Sequence, residues 1–225
     1  MEVRVLSCAF LHDPAGAAAA WPYNQGMASR SPSRSRSGPQ GTYIALLRGI
    51  NVGGKNILSM RDLAEIFSKA GCSDVRTYIQ SGNVVFAATA ECAARISSAA
   101  TEQIQRRFGI RSPVIVRTAK DLRAIAADNP FLSGRANAPD VASLHVAFLA
   151  EAPVRQRIAA LDPARSPGDR LEVHKPGGRE IYMFLGNGVA KSRFTNAWLD
   201  STLATTSTLR NWRTVLKLLE LSGQT

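Results

Sequence analysis

Cysteine, histidine and acidic residues are all scarce in this chain of 225 residues, and each shortage narrows its chemistry. The three cysteines, Cys8, Cys72 and Cys92, are odd in number and form no C-x-x-C pair. That pattern does not suggest a disulfide framework or a zinc site, and a reducing compartment fits it best, so a cytoplasmic location is expected. His12, His145 and His174 stand apart from one another. His145 lies in an apolar run, where a core imidazole is expected rather than a metal ligand, and no metal site is expected anywhere. No apolar run approaches the roughly 18 residues of a membrane span. Val3–Leu11 behind Arg4 imitates a signal peptide only faintly, because Asp13 and Pro14 interrupt it and Ala17–Ala20 makes a poor cleavage context. No Ser-His-Asp or Cys-His arrangement can be assembled, and Asp62, Glu65 and Asp74 are accounted for as a capping residue and surface charges. A general base is not visible, which argues against an enzyme, and no cofactor is identifiable.

Positive charge is what the chain has in excess: 28 Lys and Arg against 17 Asp and Glu give +11. The first 41 residues hold four Arg against Glu2 and Asp13, so +9 of that charge belongs to the remainder. Such an excess favours anionic partners such as a nucleotide, nucleic acid or an acidic surface; it also serves solubility alone. Hydrophobic content of 45% and charged content of 20% are ordinary for a globular protein. The length suits one or two domains with a substantial core.

Residues 1–41 read as a disordered tail. Ser29–Gly41 (SRSPSRSRSGPQG) offers nothing apolar to bury, and Met27 serves equally well as a start. From residue 42 the pattern becomes regular. Tyr43–Leu47 is a buried-strand candidate, and Ser59 with Asp62 caps a helix that ends at Gly71. Val75–Gln80 and Asn83–Ala87 form a hairpin across Ser81-Gly82. A second helix carries Ile96, Ala100, Ile104 and Phe108 on one face and stops at Gly109, and Val114–Arg117 is a fourth strand.

The order β-α-β-β-α-β is that of a ferredoxin-like split βαβ plait. In that topology the loop after the first strand and the hairpin after the second leave the sheet at one end, roughly 10 Å apart. Arg106, Arg107 and Arg111 finish near the same end. Thr118 with Asp121 caps a short third helix. Residues 42–128 thus form a first domain, 129–142 a connection, and 143–225 a second α+β domain. Its expected elements are strand Leu144–Leu149, helix Pro153–Leu161, strands Leu171–Lys175 and Glu180–Leu185, a helix from about Ala190 and a last one from Asn211. This second plait reads as incomplete or variant, with no residue-level repeat of the first.

Two glycine-and-cation segments carry the candidate chemistry. In the first, Arg48-Gly-Ile-Asn-Val-Gly-Gly-Lys-Asn56, glycines free the backbone to present N–H groups, with Arg48 and Lys55 at the ends. Gly49 to Asn56 has Walker A spacing, but Asn56 stands where Ser or Thr binds magnesium. The helix cap also falls four residues beyond Lys55, so a generic anion cradle is expected instead. Arg48, Asn51, Gly53, Gly54, Lys55 and Asn56 are its candidate ligand-binding residues, with Gln80, Ser81 and Asn83 from the neighbouring hairpin tip. The second segment, Gly186–Arg193, contributes Lys191. Arg210 and Asn211 open the last helix, where Asn211 is the N-cap and Arg210 is available to a phosphate. Trp212 begins an i, i+3, i+4, i+7 apolar face and is a core residue before it is a stacking platform.

YIALLRGINVGGKN (43–56), VRTYIQSGNVVF (75–86), VIVRT (114–118), NPF (129–131) and RNWRTVLKLLEL (210–221) resemble the bacterial domain of unknown function 1697 family. The resemblance covers about residues 42–222 and implies a pair of ferredoxin-like plaits. It supplies no catalytic residues. The functional expectation is a binding protein for a phosphate-bearing ligand, nucleotide or nucleic acid. An enzyme acting on such a substrate and a module for an acidic protein partner are the alternatives.

Overall fold

The computed structural model describes residues 38–132, 139–175 and 177–223. The expectations for residues 1–37 of the N-terminal tail, with Met27, Cys8 and His12, for the middle of the 129–142 connection and for Pro176 lie outside the described residues, whereas Gln40 and Gly41, expected in the disordered tail, open the first strand. Two four-stranded antiparallel sheets, interleaved with helices, account for the remainder.

The first sheet contains β1 (Gln40–Leu47), β2 (Ser73–Tyr78), β3 (Asn83–Thr89) and β4 (Val114–Thr118) in the order β2-β3-β1-β4. Helices α1 (Met60–Lys69), α2 (Ala90–Phe108) and α3 (Ala119–Ala127) intervene or follow. The second sheet holds β5 (Leu144–Leu149), β6 (Asp169–Val173), β7 (Glu180–Leu185) and β8 (Ser207–Asn211) in the order β6-β7-β5-β8. Its helices are α4 (Arg155–Ala159), α5 (Asn196–Leu203) and α6 (Trp212–Leu221). Helix starts follow local side-chain chemistry. Ser59, Thr89, Thr118, Thr195 and Asn211 each accept a backbone N–H of the first turn, and Thr118 with Asp121 forms a complete capping box.

Four expectations are corrected. The second sheet is not short of a strand: β8 is not visible in the sequence because Ser207-Thr-Leu-Arg-Asn shows no apolar alternation, with Ser207, Thr208 and Arg210 buried and Leu209 its one apolar residue. The helix expected from Ala190 starts at Asn196, after the Thr195 cap, and Pro153–Leu161 yields only the short α4. Strand β2 stops at Tyr78 rather than Gln80 because Ile79 turns into the left-handed region at φ 46°.

Strand alternation sorts the apolar residues into three layers. Ala45, Leu47, Val84 and Phe86 pack under α1 and α2 with Leu63, Phe67, Ile96 and Ile104. On the opposite side of the second sheet, Ala147, Leu149, Ile181 and Met183 pack with Phe194 and Leu199. The central layer joins the halves: Ile44, Leu46, Val85 and Ile115 share one cluster with Leu144, Val146, Phe148, Tyr182, Leu122 of α3, and Trp212 and Val215 of α6.

Two buried arginines cross this junction in opposite directions. Arg117 of β4 is 2% exposed; its guanidinium donates to Leu149 O (2.6 Å), Arg179 O (3.1 Å) and Glu180 Oε1 (2.6 Å). Arg210 of β8 donates to Leu47 O (2.6 Å), Gly82 O (3.3 Å) and Asn83 Oδ1 (2.5 Å). Leu47 and Leu149 end β1 and β5, while Asn83 and Glu180 begin β3 and β7, so each arginine engages the same positions of the other half. Leu47 N–H to Gly82 O and Leu149 N–H to Arg179 O, both 2.8 Å, repeat the equivalence. Each arginine also bonds its own preceding carbonyl, at Val116 O and Leu209 O. The halves are thus related at residue level, although their sequences show no repeat.

Removing either guanidinium strands buried carbonyls and, for Arg117, a buried carboxylate. Arg117→Ala and Arg210→Ala are each expected to lower unfolding free energy by about 3–5 kcal/mol. A change below about 1 kcal/mol in urea denaturation would show that the junction does not depend on them.

His145 is 7% exposed, and burial holds its imidazole below the ordinary histidine range. In the unfolded chain it takes up a proton near the usual value of about 6.5, whereas the folded site resists protonation. Its contribution is therefore a loss of stability as pH falls below that value. Melting curves between neutral and mildly acidic pH should converge for His145→Gln relative to wild type; identical slopes would refute the assignment.

Candidate functional site

Asn51 organises the edge where β1 ends. Its Nδ2 donates to Leu58 O (2.8 Å) and Gln80 O (3.0 Å), and its Oδ1 accepts from Leu58 N–H (2.8 Å). One side chain thereby ties the glycine loop to its own exit and to the β2–β3 turn. Asn56 Nδ2 closes the other side on Gly49 O at 2.7 Å. Between them the chain forms a miniature ribbon: Asn51 N–H meets Asn56 O, and Lys55 N–H meets Val52 O, both at 3.0 Å. Gly53 and Gly54, at φ 56° and 73°, supply the two left-handed positions that a type I′ turn needs. Ile50 and Leu58, each 1% exposed, bury the feet of the ribbon.

Gly82 holds the adjoining turn against this base. A Cβ there would meet Leu47 Cβ at 2.6 Å and Ile50 Cδ1 at 2.9 Å. The topology expected from sequence thus brings Arg48–Asn56 and Gln80–Asn83 together, but Asn51, Asn56 and Asn83 spend their side-chain amides on the protein's own backbone and side chains. Asn83 is fully buried, donating to Tyr78 O and Ser81 Oγ and accepting from Arg210. Arg210 is not available to a phosphate: it is a buried floor beneath the edge. Loss of solvent pushes its guanidinium down to about 10, and it is held by neutral acceptors alone.

Arg48 likewise leaves the loop, forming an ion pair with Asp200 of α5. Asp200 also accepts from Ser207 N–H and Oγ, both at 2.7 Å. Asn211 is engaged as the cap of α6, accepting Thr214 N–H at 2.8 Å. Lys191 is not brought to this edge by any described bond. The hydrogen bonds of its segment run to Ser166, Pro167, Asp169 and Arg165. Arg107 turns to Asp62 and Glu65 of α1 (3.6 and 3.8 Å), and Arg106 to Gln103. An anion cradle closed by cations at both ends is therefore corrected to a projecting ribbon with Lys55 near its tip.

What the edge presents to solvent was not foreseen. Val52, Ile57 and Ile79 are 65%, 66% and 51% exposed, three of the most exposed large aliphatic side chains among the described residues. Lys55 has no acidic partner among the described residues, and Gly53 and Gly54 N–H groups donate to none of them. Ile79 is β-branched and left-handed, a conformation that costs such a residue roughly 1–2 kcal/mol. The signal that could have found the ribbon is Val-Gly-Gly-Lys itself, a two-residue hairpin turn inside what reads as a strand–helix loop.

Larger clefts lie elsewhere. One of about 640 Å³ runs between α2 and the start of β4, lined by Ser97, Thr101, Arg111 and Thr206; another of about 630 Å³ lies by Arg155 and Val173. The inner faces of both sheets, where a plait could stack bases, are packed into the central layer, and Trp212 is 1% exposed within it. Among the described residues, no three metal-ligating side chains cluster, and no helix is long and apolar enough to cross a membrane.

Residues 41–182 match the family model described as "Protein of unknown function (DUF1697)". The chain belongs to this family. The match opens at β1, spans the ribbon, the β2–β3 turn and Arg117, and ends inside β7. Among solved structures, this DUF1697 chain is similar to the conserved bacterial protein SP0830 from Streptococcus pneumoniae, at 23% identity and a TM-score of 0.63. The alignment covers 82% of this chain and 99% of that one, a likeness of fold. No curated protein matches.

Ile79→Gly should relieve the left-handed strain and raise unfolding free energy by about 1 kcal/mol. A fall in melting temperature would mean that Ile79 packs rather than strains.

Proposed function

We propose that this DUF1697 protein is an interaction module that docks an acidic, partly apolar protein surface on the 51–57 ribbon and the adjoining 79–82 turn. The observation that carries this reading is the exposure of Val52, Ile57 and Ile79 beside Lys55, which has no acidic partner among the described residues, on a base tied down by Asn51 and Arg210. Aliphatic side chains held in water on an ordered scaffold gain by leaving it on docking. A single lysine among them selects a complementary carboxylate, and the wider +11 charge speeds encounter with an acidic partner. A phosphate-bearing ligand, nucleotide or nucleic acid, is the second reading. It is favoured by Lys55 standing next to the N–H groups of Gly53 and Gly54, which donate to no acceptor among the described residues.

The supporting scaffold is inferred to be two ferredoxin-like plaits, residues 42–128 and 143–225, joined by 129–142. The strand orders β4-β1-β3-β2 and β8-β5-β7-β6 support that inference. The cytoplasm is the proposed setting, supported by the free thiols of Cys72 and Cys92.

The test is an amide chemical-shift titration of the full chain with three probes: a peptide alternating Glu and Leu, ATP, and a short oligothymidine. Docking predicts shifts at residues 52–57 and 79–80 with the peptide, weakened about tenfold or more in a Val52→Ser, Ile57→Ser double variant. Shifts at Gly53–Lys55 with ATP or oligothymidine alone, lost in Lys55→Ala, would replace docking by the phosphate reading. Silence of this edge towards all three would overturn both.

A further inference from the structure

We propose that Cys72 and Cys92 form an oxidation site, at which hydrogen peroxide joins them in a disulfide that clamps the base of the β2–β3 hairpin. Read along the chain, the two thiols belong to no motif and lie 20 residues apart. The fold sets their sulfurs 3.9 Å from each other. Cys72 follows the turn that ends α1 and immediately precedes β2; Cys92 sits in the first turn of α2, just after β3. The pair therefore straddles the open end of the hairpin, beyond the Ser73–Ala87 pairing, while Ile79 and Gln80 occupy the opposite tip.

Placement on a well-held frame brings the sulfurs within a side-chain rotation of bonding distance, which is about 2.05 Å. Thr89 Oγ1 accepts Cys92 N–H, and Cys72 N–H donates to Phe67 O at the end of α1. Cys92 Sγ lies 3.4 Å from Ala70 O, so it already points at the turn that carries Cys72. The two differ in access. Cys72 is 7% exposed, and burial with the neighbouring Cys92 pushes its thiol up to about 12, whereas Cys92 is half-buried and meets solvent.

That difference orders the chemistry. The Cys92 sulfur attacks peroxide, the O–O bond breaks, and Cys92 becomes a sulfenic acid with release of water. The Cys72 sulfur then attacks the sulfenic sulfur. The S–O bond breaks, the departing hydroxyl takes the Cys72 proton, and a second water leaves. Both sulfurs are oxidised to the disulfide level and one peroxide is reduced to two waters. The consequence falls on β2, an edge strand whose register is already irregular between Ser73 and Arg76. A covalent clamp at Cys72, the residue just before it, suppresses fraying of the strand from β3.

The experiment treats the reduced full chain with hydrogen peroxide at low protein concentration, followed by tryptic mass mapping and amide exchange. The expected product is the Cys72 peptide linked to the Cys92 peptide, two hydrogens lighter than the free pair and released by dithiothreitol. Exchange of the β2 amides should slow by about tenfold, with no such change in Cys92→Ser. Sulfinic acid at Cys92 beside an unmodified Cys72 would overturn the proposal. So would a link from either residue to Cys8, or linkage that rises with protein concentration. A linked pair with unchanged β2 exchange would overturn the clamp.

Discussion

A guanidinium buried between two sheets is an expensive group, and this structure buries two. Taking an arginine out of water is tolerable only where fixed acceptors replace its hydration. Here the acceptors are the carbonyls at the ends of β1 and β5 and just before β3 and β7. Those groups themselves need partners, because the sheets stop there while the chain is still buried. Each half supplies the donor that the other lacks, so the sheets, their inner faces and the α3–α6 layer come together as one core. The two crossings are not identical. Arg117 meets a carboxylate in Glu180, which is also 3.6 Å from His174 Nδ1, whereas Arg210 meets the amide of Asn83 in the corresponding place.

That asymmetry bears on the exposed edge. Arg210 holds the carbonyls of Leu47, Ser81 and Gly82 at once, the points from which the ribbon and the β2–β3 turn spring. The second half thus sets the geometry of a surface formed by the first. On this base Asn51 and Asn56 satisfy the loop backbone from within, leaving aliphatic groups, one lysine and two glycine N–H groups to face solvent.

Much of the frame was legible from local chemistry. The Ser59, Thr118 and Asn211 caps, the Gly109 stop and strands β5 and β7 stand at or near where propensity and periodicity put them, because each is specified within a few residues. Strand β8 was not legible, since a buried arginine and threonine occupy positions where alternation looks for apolar residues. The candidate site divides in the same way. Adjacency of the glycine loop and hairpin tip followed from strand order, whereas the ownership of each side chain did not. Arg48 finds its carboxylate 152 residues away, and Arg210 the Leu47 carbonyl 163 residues away.

The sequence by itself determined the β-α-β-β-α-β order of the first half, the Ser59, Thr118 and Asn211 caps, and an excess of basic charge. Each of these depends on residues near in the chain or on composition. Only the tertiary structure decided which cations are free, which asparagines are engaged, and that Val52, Ile57 and Ile79 stand in water. It also decided that Cys72 and Cys92 are neighbours. These are properties of the distance between remote segments and of the solvent left between them, and a linear pattern of side chains carries no measure of either.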